Sequence, residues 1–191
     1  MHTSLRREGS LLLVLIVFIG LTWWWQRDDS VPSVAEDFQS QKEVDGYLTD
    51  FVVTTMNELG QPSHRLVADR MVLFSGTHLS QVDQPFLTLY RQDATPWLIY
   101  ADNGLVQSDT DTVFLTGNVR MTNKDDLGNV TEVLTDSLEV QIKKHFALTE
   151  HQVRVNHYQG YAQGLGLEAY LREGRLTLLD QVRSRYEAVI D

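Results

Sequence analysis

Six histidines, His2, His64, His78, His145, His151 and His157, are the first side chains to test for chemistry. A zinc hydrolase sets two histidines four apart on one helix face, with a glutamate beside the first, so that both rings reach one ion. No pair here has that arrangement. His145 and His151 could share a hairpin, where the ordinary reading is two surface side chains on neighbouring strands. Asp109, Asp111, Asp125, Asp126 and Glu132 crowd one stretch, yet their order does not match the register of a calcium loop, and acidic turns between strands are normally solvated. No Gly-x-Ser-x-Gly elbow or phosphate loop is present, and Gly160, Gly164 and Gly166 are too irregularly spaced for a dinucleotide fingerprint. The chain has no cysteine, which excludes disulfides and thiolate metal sites. Asn129-Val130-Thr131 matches a glycosylation sequon in form alone. These residues predict no catalytic group, no metal and no cofactor.

The elements that hold these residues read as strands. Tyr47, Thr49, Phe51, Val53 and Thr55 alternate onto one face, as do Val113, Leu115, Gly117, Val119 and Met121. Period two of this kind marks half-buried strands. Turn-forming residues separate them, at Asn57 to Pro62, Asp102-Asn103-Gly104, Asp125 to Asn129 and Glu173-Gly174. Helical periodicity is weak and confined to the stretch after Asp37.

A self-similarity of about 33 residues organises the strands. Leu66-Val67-Ala68-Asp69, Ile99-Tyr100-Ala101-Asp102 and Val133-Leu134-Thr135-Asp136 each set two apolar residues before a small residue and an Asp, and Leu167-Glu168-Ala169 is a degenerate fourth copy. Eighteen residues beyond Ala101 and Thr135 come Val119-Arg120-Met121 and Val153-Arg154-Val155, with Val182-Arg183-Ser184 a weaker version. The pattern predicts units made of a strand ending in a small-Asp turn, a second strand, and a Val-Arg strand that closes the unit. Stacked units share one apolar interior. A jelly roll or a folded-over sheet satisfies this, and a closed sandwich without ligand is the alternative. Stacking also leaves an unpaired strand at each end. The apolar stretch Leu176, Leu178, Val182, Tyr186 either offers its edge to a partner strand or pairs back into its own sheet.

With 191 residues there is room for one domain and a short appendage. The net charge is -10; setting aside Arg6, Arg7, Arg27 and Glu8 leaves 13 basic against 25 acidic residues, or -12 beyond Arg27. With the cations scattered singly or in pairs such as Lys143-Lys144, nucleic acid is excluded as a partner. Residues 11–25 carry no charge and follow Arg6 and Arg7, which marks a membrane-targeting segment. Fifteen residues rise only about 22 Å as a helix, short of the usual span, which by itself favours a cleaved signal. Against cleavage, no small-x-small site follows, and Trp23, Trp24 and Trp25 fit the headgroup boundary of a retained helix. The sequence thus predicts residues 1–10 in the cytoplasm, 11–25 crossing the membrane, 26–45 as a linker and 46–191 as a body on the far side.

An uncleaved helix, an acidic β body and the repeated small-Asp and Leu-x-Gly-x-Val units together resemble the LptC family of lipopolysaccharide-export proteins. The resemblance runs along essentially the whole chain. It is carried by Asn57 to Asp69, Gln84-Pro85, Pro96-Trp97 into Ala101-Asp102, Leu115-Thr116-Gly117-Asn118-Val119, and Val182 to Glu187. It implies an elongated β-jelly-roll of the lipopolysaccharide-transport type with an N-terminal single transmembrane helix in the inner membrane and its body in the periplasm. Members of that family receive lipopolysaccharide from an inner-membrane ABC transporter (LptB, LptF and LptG) and pass it to the periplasmic bridge protein LptA, docking edge to edge at both ends. Positions that match the family's lipid-facing wall are Phe51, Val82, Leu176 and Tyr186, with Val53, Leu115 and Val119 their neighbours by strand parity. The Trp triplet departs from the family pattern. Because a body of charge -12 repels phosphates, lipid binding on this reading rests on acyl chains, at about 0.8 kcal/mol per buried methylene. An anchored adaptor that joins β-domains without binding lipid is the alternative. An envelope hydrolase would need convergent His or carboxylate residues, which the spacing does not offer.

Overall fold

A computed structural model describes residues 44–92 and 94–186. The expected membrane segment, its Trp23, Trp24 and Trp25 boundary and most of the linker lie outside them. Eleven strands follow one another: β1 (Val44–Met56), β2 (Pro62–Phe74), β3 (Leu79–Asp83), β4 (Phe86–Arg91), β5 (Ala94–Tyr100), β6 (Asn103–Gln107), β7 (Thr112–Lys124), β8 (Val130–Gln141), β9 (Phe146–His157), β10 (Gly160–Tyr170) and β11 (Arg175–Tyr186). No helix occurs among the described residues. Every pairing is antiparallel, in the order β11-β10-β9-β8-β7-β5-β4-β2-β3-β6, with β1 on the remaining side of β2 and β6 returning to β7.

Two long strands turn this sheet over on itself. β2 pairs with β4 through Val67 and with β3 from Arg70, while β7 pairs with β6 through Thr116 and with β5 from Arg120. Since β4 pairs with β5 and β3 with β6, the six strands close a circuit of two layers, β4-β5 and β3-β6, between β2 and β7. Leu87, Leu89, Trp97 and Ile99 from one layer and Val82 from the other belong to one buried cluster, so the space between the layers is the core. Along β7, Val113, Leu115, Val119 and Met121 are all at most 1% exposed, as period two predicts.

The small-Asp pairs do not end strands as their spacing predicts. Asp69 and Asp136 sit inside β2 and β8, and only Asp102 falls between strands. They mark places where a long strand bends or changes partner, with register shifts between Thr116 and Val119 and between Thr135 and Glu139. A bulge bends a strand and lets it serve two layers. At one corner Gly117 and Asn118 take φ of 79° and 46°. Asp102 N–H donates to Gly117 O at 2.9 Å, and Asn118 Nδ2 donates to the Asp102 carboxylate at 2.6 Å. A Cβ on Gly117 would lie 2.8 Å from that carboxylate, so both its backbone and its surroundings require glycine.

The predicted turns at 57–62 and 125–129 are present, each built on one side chain. Asn57 Oδ1 accepts from Leu59 N and Gln61 N at 2.9 Å. Asp125 Oδ1 accepts from Leu127 N at 2.9 Å and Asn129 N at 2.8 Å.

Candidate functional site

The acidic stretch disperses in three dimensions. Asp111 and Asp125 lie just beyond opposite ends of β7. Asp111 is 2.5 Å from Lys143 Nζ, and Glu132 faces Arg120 at 3.4 Å. A hydrogen bond from the Asn129 side chain, helped by the backbone of its turn, holds the Asp125 carboxyl below its ordinary value. That carboxylate is therefore committed to its own turn. Among the described residues no three His, Asp or Glu side chains converge as a metal set.

The seven apolar positions expected to face lipid take three kinds of place. Val82, Leu115 and Val119 are 0–1% exposed, inside the closed core. Val82 and Leu115 both lie directly opposite Gly104 of β6, which lets their side chains meet across it. Phe51 on β1 and Leu176 on β11 are half-buried at the two rims of the same cluster, where Leu178 joins them. Val53 and Tyr186 are exposed. The seven are thus spread through one continuous core and over its rims, from β1 to β11, and do not line a single open groove. Trp97 carries part of the resemblance but has no role assigned from sequence; its buried indole Nε1–H donates to Leu171 O at 2.9 Å and ties β5 to the turn after β10.

Both ends of the strand order are open among the described residues. β11 pairs only with β10 and β1 only with β2. Along β11, Leu179, Val182 and Tyr186 are exposed; along β1 so are Val44, Tyr47, Leu48, Val52 and Met56. Of the residues expected to form a partner edge, Leu176 and Leu178 turn toward the core while Val182 and Tyr186 are free of it. The β1 face predicted from Tyr47 to Thr55 shows no alternation of burial beyond Phe51, because nothing among the described residues covers an edge strand from outside. Unpaired edges of this kind are where another strand could add.

The family model described as lipopolysaccharide-assembly, LptC-related, matches residues 11–187. The chain belongs to the LptC family. The lipopolysaccharide export system protein LptC of Escherichia coli (strain K12) is 25% identical over 178 residues, covering 93% of this chain and 90% of that protein. LptC of Shigella flexneri matches with the same identity and coverage. Among solved structures, LptH of Pseudomonas aeruginosa, described as the LptA homologous periplasmic component of a lipopolysaccharide transport device, superposes with a TM-score of 0.53. It is 11% identical and covers 65% of this chain and 95% of its own, a likeness of fold alone. The folded-over sheet with its two open ends is thus an LptA-type jelly roll on an LptC-family chain.

Proposed function

We propose that this LptC-family chain is a non-enzymatic lipopolysaccharide relay of the inner membrane. On this reading residues 11–25 span that membrane and the β body stands in the periplasm. It takes lipopolysaccharide from an ABC transporter of the LptB, LptF and LptG type and hands it to an LptA-type bridge protein. The observation that carries this reading is the pair of open edge strands, each with exposed apolar side chains, at the two ends of one continuous core. β1 would abut the transporter's own β-domain and β11 the bridge protein, so that three interiors join into one path. Acyl chains would enter between the layers at the rims marked by Phe51 and Leu176. At about 0.8 kcal/mol per buried methylene, a few partly enclosed chains outweigh diffuse repulsion that salt screens within about 8 Å.

A second reading has its own support. Val82, Leu115 and Val119 are sealed in the core, which suits an adaptor that joins β-domains and binds no lipid. Photocrosslinking side chains placed in cells at Phe51, Leu176 and Tyr186 distinguish the two. The relay predicts lipopolysaccharide adducts from Phe51 and Leu176 and protein adducts from Tyr186. Protein adducts without any lipid adduct would sink the relay and leave the adaptor.

A further inference from the structure

The sequence scatters its arginines, but the fold aligns some of them. Arg120 of β7 lies opposite Leu134 of β8, Leu134 opposite Arg154 of β9, Arg154 opposite Gln163 of β10, and Gln163 opposite Arg183 of β11. The three Val-Arg copies therefore stand on alternate strands of one transverse row, about 10 Å apart at the usual strand spacing. Val119 and Val153 point into the core, at 1% and 3% exposed, so Arg120 and Arg154 point outward. Arg185, two residues beyond Arg183 and opposite Tyr161, extends the cations on the same face.

These guanidinium groups are not neutralised alike. Arg120 pairs with Glu132. Arg154 Nε donates to Asn156 Oδ1 at 2.9 Å, its guanidinium lies 4.4 Å over the Tyr161 ring, and Asn156 in turn donates to Glu132 at 2.9 Å. That contact constrains the plane of the Arg154 guanidinium. Among the described residues no carboxylate lies within ion-pair distance of Arg154, Arg183 or Arg185. Between the β9 and β11 members of the row the surface is concave, a pocket of about 580 Å³ whose polar lining includes Arg154, Arg183, Gln152, Gln163, Gln181 and Asp136. That size suits a small ligand. Two unpaired guanidinium groups suit phosphate oxygens, and side-chain amides beside one carboxylate suit the mixed donors and acceptors of sugar hydroxyls.

We propose that the pocket bounded by Arg154 and Arg183 binds a phosphorylated sugar, held on the outer face of the sheet whose inner face borders the core. The inference rests on the relay reading for its lipid-linked source, in which the pocket would hold the headgroup of the lipid whose chains enter at the β11 rim. It also alters the charge argument, because a net -12 beyond Arg27 coexists with a local cationic strip that would meet phosphate directly.

The test titrates the full chain in detergent micelles with a deacylated, bisphosphorylated glucosamine disaccharide by isothermal calorimetry. The same disaccharide without phosphates and inorganic phosphate serve as separate titrants. The expected result is binding to the wild type that weakens between low and physiological salt, and a loss of at least about tenfold in the Arg154→Gln/Arg183→Gln variant at unchanged melting temperature. Removing the phosphates from the sugar should cost as much. Equal affinity in the variant, no binding to the wild type, or inorganic phosphate binding as tightly as the disaccharide would overturn the proposal. Displacement of the disaccharide by lipopolysaccharide supports the lipid-linked source, and failure to displace it overturns that source. Lipid crosslinking from Phe51 reports on the acyl path separately: its loss with disaccharide binding intact removes the relay and leaves the pocket, and the reverse outcome removes the pocket alone.

Discussion

Replacing Gly104 by alanine tests the closure of the core directly. A Cβ at this position would lie 2.8 Å from Val82 Cγ2, 3.2 Å from Leu115 Cδ2 and 3.4 Å from Pro85 Cγ. Val82 and Leu115 are fully buried, so neither can retreat toward solvent. Overpacking of this kind costs about 1–3 kcal/mol. The Gly104 backbone is not left-handed, so alanine also restricts the unfolded chain and returns about 0.4–1 kcal/mol. The net expectation is a loss of about 1–2 kcal/mol, or roughly 3–8 °C in melting temperature for a domain of this size. The deciding measurement is a double-mutant cycle of Gly104→Ala with Val82→Ala, read by urea unfolding of the full chain in micelles. Alone, Val82→Ala leaves a cavity; when Gly104→Ala is combined with it, the added methyl occupies part of that space. The double variant should be about 1–2 kcal/mol more stable than the sum of the singles. Additivity within about 0.5 kcal/mol would mean that the two side chains do not meet across β6, and the packing argument would fail.

Two other perturbations address different parts of the fold. Burial holds the His64 imidazole below its ordinary value of 6.5, Asp111 opposing this in part, and among the described residues its buried Nδ1 has no hydrogen-bond partner. The group folds neutral, so its contribution is complete above 6.5 and is lost as pH falls from there through the lowered folded value. Melting temperature should accordingly drop less between pH 7.5 and 5.5 in His64→Leu than in the wild type (an interval of about two units around the ordinary histidine range), and parallel curves would refute the assignment. Trp97→Phe removes the donor to the carbonyl of buried Leu171, at a cost of about 1–3 kcal/mol. Its urea midpoint should fall at unchanged m, with faster amide exchange across the turn from Leu171 to Arg175; an unmoved midpoint would show the bond to be dispensable.

Strand character was legible from residue types because a half-buried strand must alternate: Val113, Leu115, Val119 and Met121 enter the core as their spacing requires. The turns at Asn57 and Asp125 were legible for a similar reason, since one short polar side chain can satisfy a turn's backbone donors by itself. Asp69 and Asp136 look like turns in the sequence because bends and turns draw on the same residues. Whether the chain reverses or bends there depends on whether the strand finds a second partner, and that partner lies far along the chain. The same dependence hid the sites. Val82, Phe51 and Tyr186 are all apolar residues on strands, and their buried, half-buried and exposed places depend on which strands pair beside each and on which face of its strand meets the core.

The Val-Arg repeat marks the boundary between the two kinds of knowledge. Its alternation of an inward valine with an outward arginine is local and was present in the amino-acid order. That Arg120, Arg154 and Arg183 share one row was not, because it depends on the register of four successive strand pairings and on the bulges that set it. A shift of one residue in a single strand would carry its arginine to the other face. The amino-acid order thus determined an acidic β protein with an apolar N-terminal segment, and the tertiary register decided where its few cations and its two open edges stand.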